Sequence, residues 1–284
     1  MLLSESLMKK EHFNRHSRII PLVALIALLG LILLIFYIKK NHLSFQQNFF
    51  LLLFSSLTFI LLLLRQRSFN TFTTFFLLST FTLIITWRLS ALAHFTLISY
   101  IYLAAMLLKF YLYLNFAYKN IMENRHSGLY RESAYIWQLL FTRLAIGFNL
   151  IPHFTEKLFA GSVIRIDDVN AFTQLGVPHP LTMVIIAGCI EFGGAFSISC
   201  GFLTRLGAIC FFIYLMFATF LGHHFTNGFI WALPGGGWEF PVLWGALILS
   251  FAIFGAGDFS LDCVLKNNLN VPNWIKHLMG GRFS

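Results

Sequence analysis

Seven ionisable residues, His153, Glu156, Lys157, Glu191, His223, His224 and Glu239, stand in a stretch of sequence otherwise dominated by Phe, Leu, Ile and Gly. A carboxylate near an imidazole or an amine can exchange protons with a bound molecule. Inside a bilayer such groups are costly unless they are paired, wetted or protonated. Their presence in apolar segments therefore points to a working site, with a buried structural hydrogen bond as the alternative. The His223–His224 pair does not form a metal-ligand pattern. Adjacent residues point to different faces of a helix, and no ligand follows at i+4. No metal is expected.

The elements that position these groups are membrane spans. Of the 284 residues, 58% are hydrophobic and 11% charged, against about a quarter charged in a soluble domain. The chain reads as an all-α integral membrane protein. Its net charge of +9 suits loops facing anionic lipid, so membrane lipids and not nucleic acid are the expected partners. Cys189, Cys200, Cys210 and Cys263 form no C-x-x-C pair, and the first three lie in apolar segments where a thiol packs as a small hydrophobe.

A span needs about 20 apolar residues. Eight segments qualify, near 19–38, 47–64, 70–87, 91–117, 136–160, 180–203, 205–223 and 240–257. The first follows a basic start (Lys9, Lys10, Arg15, Arg18). Its apolar run is longer than a signal-peptide core and no small-residue cleavage site follows, so it reads as an uncleaved span. Positive flanking charge, including Arg65, Arg67, Lys119, Arg125, Arg131, Arg205, Lys276 and Arg282, places both termini in the cytoplasm, with Lys39 and Lys40 dissenting.

Composition divides the chain into a four-span region over 1–118, a cytoplasmic connector over 119–135, a second four-span domain over 136–263 and a cytoplasmic tail over 264–284. No acidic residue lies between His12 and Met122. Lys109 and His94 are the ionisable exceptions in the first half, and Lys109 is expected to snorkel towards the inner interface. In the second half, a rise of about 1.5 Å per residue puts Glu191 roughly 20 Å from the inner surface and His153 roughly 25 Å from it. His153 is thus the expected partner of Glu191, and Arg143, lower in its span, is within reach of the inner headgroups. Glu191 sits in "AGCIEFGG", where glycines permit close helix approach.

The segment "NGFIWALPGGGWEFP", Asn227 to Pro241, lies between the last two spans. Gly235, Gly236 and Gly237 let the backbone fold at membrane depth where it is buried or lines a cavity. Trp231 and Trp238 suit the lipid–water boundary. The segment reads as a lid over a polar pocket of His153, Lys157, Glu191, His224 and Glu239. Glu239 also suits a helix N-terminus, where acidic groups are favoured.

The second half resembles the DoxX family of small four-helix membrane proteins. The resemblance rests on "TRLAIGFNLIPHFTEKLFAG" from Thr142 to Gly161, "EFGG" from Glu191 to Gly194, "GFLTR" from Gly201 to Arg205, His224, "GGWEFP" from Gly236 to Pro241, and "GAGDFSLD" from Gly255 to Asp262. It covers about residues 136–263 and leaves the first four spans outside. It implies a C-terminal DoxX-like four-helix bundle preceded by four extra spans, in the cytoplasmic (inner) membrane. Some relatives are associated with quinone-linked sulfur oxidation and others with defence against oxidants, so the resemblance implies a redox-associated subunit that binds a quinone or another lipid-soluble small molecule and works with a redox partner protein. The residues themselves carry no flavin, nicotinamide, haem or iron–sulfur fingerprint. A non-enzymatic scaffold of a larger complex and a small-molecule transporter stay open as alternatives.

Overall fold

A computed structural model describes residues 20–40, 43–64, 69–125 and 130–280. The basic start at Lys9, Lys10, Arg15 and Arg18, the segment with Arg65 and Arg67, residues 126–129 of the connector and Arg282 lie outside the described residues.

Among the described residues every regular element is helical. The helices are α1 (Ile20–Ile38), α2 (Phe45–Leu63), α3 (Phe69–Leu92), α4 (Thr96–Glu123), α5 (Tyr130–Asn149), α6 (Ile151–Leu158), α7 (Ser162–Gln174), α8 (Pro180–Cys200), α9 (Thr204–Leu221), α10 (His224–Asn227), α11 (Glu239–Phe254), α12 (Leu261–Asn268) and α13 (Asn273–Leu278). Seven stretches are long and apolar enough to cross a membrane: Pro21–Ile38, Phe45–Leu63, Phe72–Leu92, Thr96–Glu123, Arg131–Leu158, Pro180–Cys200 and Thr204–Leu221. The eighth expected span is α11, an apolar helix of 16 residues. The chain is an all-α integral membrane protein. The connector read from composition is largely helical, since α4 continues to Glu123 and α5 begins at Tyr130.

Local sequence explains the boundaries. Ser44 and Gln47 form a reciprocal capping box that starts α2, with both backbone bonds at 3.3 Å. Pro152, in the first turn of α6, cannot donate to the preceding turn, and the helix breaks at Leu150 between α5 and α6. Pro180 opens α8, and Gly201 closes it in the left-handed conformation that favours glycine.

The chain divides into two compact units, Met1–Phe141 and Thr142–Ser284. In the first, α1 packs on α2 and α4, and α3 on α2 and α4, giving a closed ring of four helices. Its interior carries many hydroxyls. Thr80, Thr82 and Thr86 turn theirs back to carbonyls of their own helix, and Thr58 meets Thr86 at 3.3 Å. That is the usual way a hydroxyl is satisfied in an apolar bundle. Lys109 does not snorkel. It is only 8% exposed, and its ammonium donates to Ser79 Oγ at 2.5 Å and to the Phe76 carbonyl at 3.3 Å, 4.8 Å from the Phe76 ring centre.

In the second unit α8 packs on α6, α7 and α9, and α9 on α11. One end of this unit is tied by two buried polar residues, Arg143 and Asp262. Arg143 is fully buried and donates to the carbonyls of Ser199, Ala256 and Phe259. Arg143 therefore does not reach for headgroups; it holds the end of α8 to the turn after α11. Asp262 accepts from the backbone of Leu203 at 2.7 Å, Thr204 at 3.0 Å and Gly280 at 2.7 Å, and from the Thr204 hydroxyl at 2.8 Å. These donors include the orphan amides of the first turn of α9, which a carboxylate satisfies well. The motifs "GFLTR" and "GAGDFSLD" thus meet in one structural knot.

Candidate functional site

Away from that knot, α6, α8 and α9 bring three side chains together. Glu191, on α8, is 8% exposed. Its Oε1 accepts from the Tyr214 hydroxyl of α9 at 2.8 Å. Its Oε2 lies 3.2 Å from Lys157 Nζ of α6, an ion pair with no aligned hydrogen bond at that oxygen. Lys157, itself 8% exposed, also donates to the His153 carbonyl at 3.2 Å. A buried carboxylate paired with an ammonium and a phenol meets the requirement that a charge at this depth have partners.

Glycine makes the approach possible. A Cβ on Gly188, one turn before Glu191, would lie 2.9 Å from Lys157 Cβ and from the Leu158 side chain. Gly194 is tighter still, a Cβ there falling within 3 Å of three ring atoms of Phe211 on α9, whereas a Cβ on Gly193 would meet nothing within 4 Å. Small residues at the first two positions let α6 and α9 come close to α8.

Helix α7 adds to the polar surroundings. Arg165 donates to the Lys157 and Leu158 carbonyls at 2.5 and 3.4 Å, satisfying the end of α6. Asp168, also on α7, is electrostatically coupled to the cluster. Burial pushes its carboxyl above the usual value, Lys157 pulls it back, and Glu156 and Glu191 push it further up.

The glycine-rich segment is held in shape by its own backbone. Trp238 N donates to the Gly228 carbonyl at 3.1 Å and Glu239 N to the Phe229 carbonyl at 3.0 Å. Gly237 has no room for a side chain: a Cβ there would lie 2.5 Å from the carbonyl oxygens of Gly228, Phe229 and Ile230. His224 Nδ1 is 3.0 Å from the Gly236 carbonyl, which also accepts from Asn227 Nδ2 at 3.1 Å. The Glu239 carboxylate accepts from Trp231 N at 3.2 Å.

The expected site residues thus fall into two groups. Lys157 and Glu191 pair directly, and His153 joins them through its backbone carbonyl. His224, Asn227, Trp231, Gly235, Gly236, Gly237, Trp238 and Glu239 belong to the loop, where His224, Asn227 and Glu239 serve its internal bonds. A row of rings runs between the groups. His224 and Trp231 are 5.6 Å apart, Trp231 and Phe240 5.9 Å, Phe240 and Trp244 6.2 Å, and Trp244 and His153 5.9 Å. Among the described residues no three His, Cys, Asp or Glu side chains gather as a metal site.

Sequence reading missed Tyr214, Asp168 and Trp244. Depth could have found the first. Tyr214 is ten residues into α9 and Glu191 nine residues from the adjoining end of α8, so both sit about 15 Å from the same turn.

A family model described as DoxX matches residues 138–224. That range holds Arg143, Lys157, Glu191 and Tyr214 and stops before the glycine-rich loop and Asp262. The chain is similar to the inner membrane protein YphA of Escherichia coli strain K12, 33% identical over 102 residues that cover 33% of this chain and 69% of that protein. It is also similar to an uncharacterized protein of Haemophilus influenzae, 28% identical over 124 residues covering 44% of this chain and 87% of that one. No solved structure matches the chain.

Proposed function

This chain belongs to the DoxX family, and on that premise we propose that its C-terminal unit binds a lipid-soluble carbonyl compound at Glu191, a quinone being the class that fits. The observation that carries the reading is the Lys157–Glu191–Tyr214 cluster, with one carboxylate oxygen lacking a hydrogen bond. An ammonium and a phenol are donors for a quinone oxygen, and a carboxylate is an acceptor for a quinol hydroxyl. A buried group of this kind can hold and pass the proton that accompanies quinone reduction. The electrons come from a partner protein or from a second substrate, and the chain acts as a redox-associated membrane subunit. In this reading it lies in the inner membrane with both termini cytoplasmic, and Glu191 opens to the outer leaflet.

A second reading is a scaffold without chemistry. It is favoured by the fact that Lys157 and Tyr214 already occupy Glu191, so the cluster could serve to fix α6 and α9 against α8. A transporter is a third reading, and no specific contact favours it.

The test is the ultraviolet and mass spectrum of gently solubilised protein, wild type beside Glu191→Gln. Stoichiometric quinone in the wild type and none in a folded variant supports the proposal. No quinone in either, together with no binding on quinone titration, moves the reading to the scaffold.

A further inference from the structure

Helix α4 runs for 28 residues, and its two sides differ in kind. Ile98, Tyr102, Ala105, Lys109 and Tyr113 are buried in the first unit. On the opposite side Tyr100, Ala104, Leu107, Tyr111, Leu114 and Tyr118 are exposed, at spacings of four, three, four, three and four residues. This alternation keeps all six on one narrow stripe, in the pattern of a coiled-coil seam.

A face built for lipid needs no polar groups. The large exposed side chains of α1 and α2 are Leu, Ile and Phe, apart from Tyr37 in the last turn of α1. The α4 stripe instead carries three tyrosines. Tyr111 stands far from both helix ends, fifteen residues after Thr96 and twelve before Glu123. By helix rise that is about 20 Å, and helical side chains lean towards the N-terminus, so its phenol points away from the nearer end. Tyr111 is 60% exposed, and among the described residues no group shares a hydrogen bond with it. Asn115, one turn on, is partly exposed and likewise has no hydrogen-bond partner among the described residues. A hydroxyl and an amide left bare in hydrocarbon are costly.

We propose that this stripe is the interface of a parallel homodimer, in which α4 packs along α4 of a second copy of the chain with Tyr111 and Asn115 as its polar lock. Copies of one chain enter a membrane in the same orientation, so a two-fold axis between them lies along the membrane normal. The two α4 helices then run parallel, and each seam residue meets its own counterpart at the same depth. Self-pairing requires groups that both donate and accept, which a phenol hydroxyl and a primary amide do. No like charges oppose each other, because the six stripe residues are all uncharged. Ala104 lets the two backbones approach. Lipid tails offer no partner to either polar group, whereas a second copy satisfies both at once. This surface is independent of the Glu191 cluster and of its ligand.

The experiment counts subunits by single-molecule photobleaching of the labelled full chain in lipid vesicles, over a series of protein-to-lipid ratios. Wild type is compared with Y111F, A104F and L57F, the last on the exposed side of α2. All three changes fall at exposed positions, so the fold is retained. The expected result is a wild-type dimer that L57F leaves unchanged. Y111F keeps the ring and loses only the hydroxyl, and should weaken the dimer by about tenfold, the loss of interhelical hydrogen bonds. A104F adds bulk at the closest approach and should leave monomers at ratios where the wild type is dimeric. A wild type that is monomeric at every ratio overturns the proposal and leaves the stripe to lipid. A dimer that Y111F and A104F do not weaken, or that L57F weakens equally, puts the interface elsewhere and overturns it as well. A dimer lost in A104F but unmoved in Y111F overturns the role given to the hydroxyl.

Discussion

The ammonium of Lys157 lies 3.2 Å from a carboxylate oxygen of Glu191, on two helices that no loop joins directly. Breaking a buried pair leaves one charge uncompensated, at a cost of about 3–5 kcal/mol, whereas removing both charges is far milder. Lys157→Met and Glu191→Met should each lower stability strongly, and the double variant should be more stable than either. A double-mutant cycle by thermal unfolding in detergent measures the coupling. Additive single effects would mean that the two groups do not interact.

The pair depends on how closely α6 approaches α8. A Cβ at Gly188 would press on Lys157 and Leu158, and larger groups would push the helices apart. Gly188→Val should therefore cost about 1–3 kcal/mol by overpacking. Gly193, five residues on, faces open space. Gly193→Ala should be neutral or stabilising by up to about 1 kcal/mol, the helix propensity that glycine forgoes. Equal losses at both positions would sink the packing argument.

The contrast between these glycines shows what a sequence reveals and what it withholds. "AGCIEFGG" announces a carboxylate at a close helix crossing, but both Gly193 and Gly194 look equally placed to make it. Only the rotation of α8 separates them. Glu191 was legible because a carboxylate in an apolar run stands out. Lys157 was legible as a site residue, yet depth alone favoured His153 as the partner, since counting along one helix takes no account of the break that Pro152 makes. Tyr214 hid because a tyrosine in a Phe-rich helix looks like core. Arg143 and Asp262 were visible as motif residues, but their joint work at one end of the unit depends on contacts 56 to 116 residues apart in sequence. Span number and helical class followed from apolar length, which the bilayer fixes.

Arg143 and Asp262 lead to a different expectation from Glu191. Arg143 feeds three carbonyls through a fixed fork, and lysine offers no such geometry. Asp262 takes four donors in a fully buried position. Arg143→Lys and Asp262→Ala should each cost about 3 kcal/mol or more, through buried groups left without partners. Ligand occupancy per folded molecule at Glu191 should stay unchanged. Quantifying folded yield by size-exclusion profile beside bound small molecule by mass spectrometry checks both halves. Occupancy lost while folded yield holds would show that this end belongs to the binding site.

Asp168 gives a pH signature. Burial on α7 holds its folded carboxyl above the ordinary value of 3.8, with Lys157 opposing and Glu156 and Glu191 assisting. The folded state therefore keeps the proton to higher pH than the unfolded chain does. Stability from this group is present below pH 3.8 and falls as pH rises through the folded value. Asp168→Asn removes the neutral-pH penalty without removing the side chain's shape. The variant should be more stable than the wild type at pH 7, by less than about 1 kcal/mol because the residue is partly exposed to solvent. The gap should close as pH approaches the ordinary carboxylate range. Parallel melting curves from pH 4 to pH 8 measure it. A variant less stable than the wild type at pH 7 would show that attraction to Lys157 outweighs the burial and the neighbouring carboxylates.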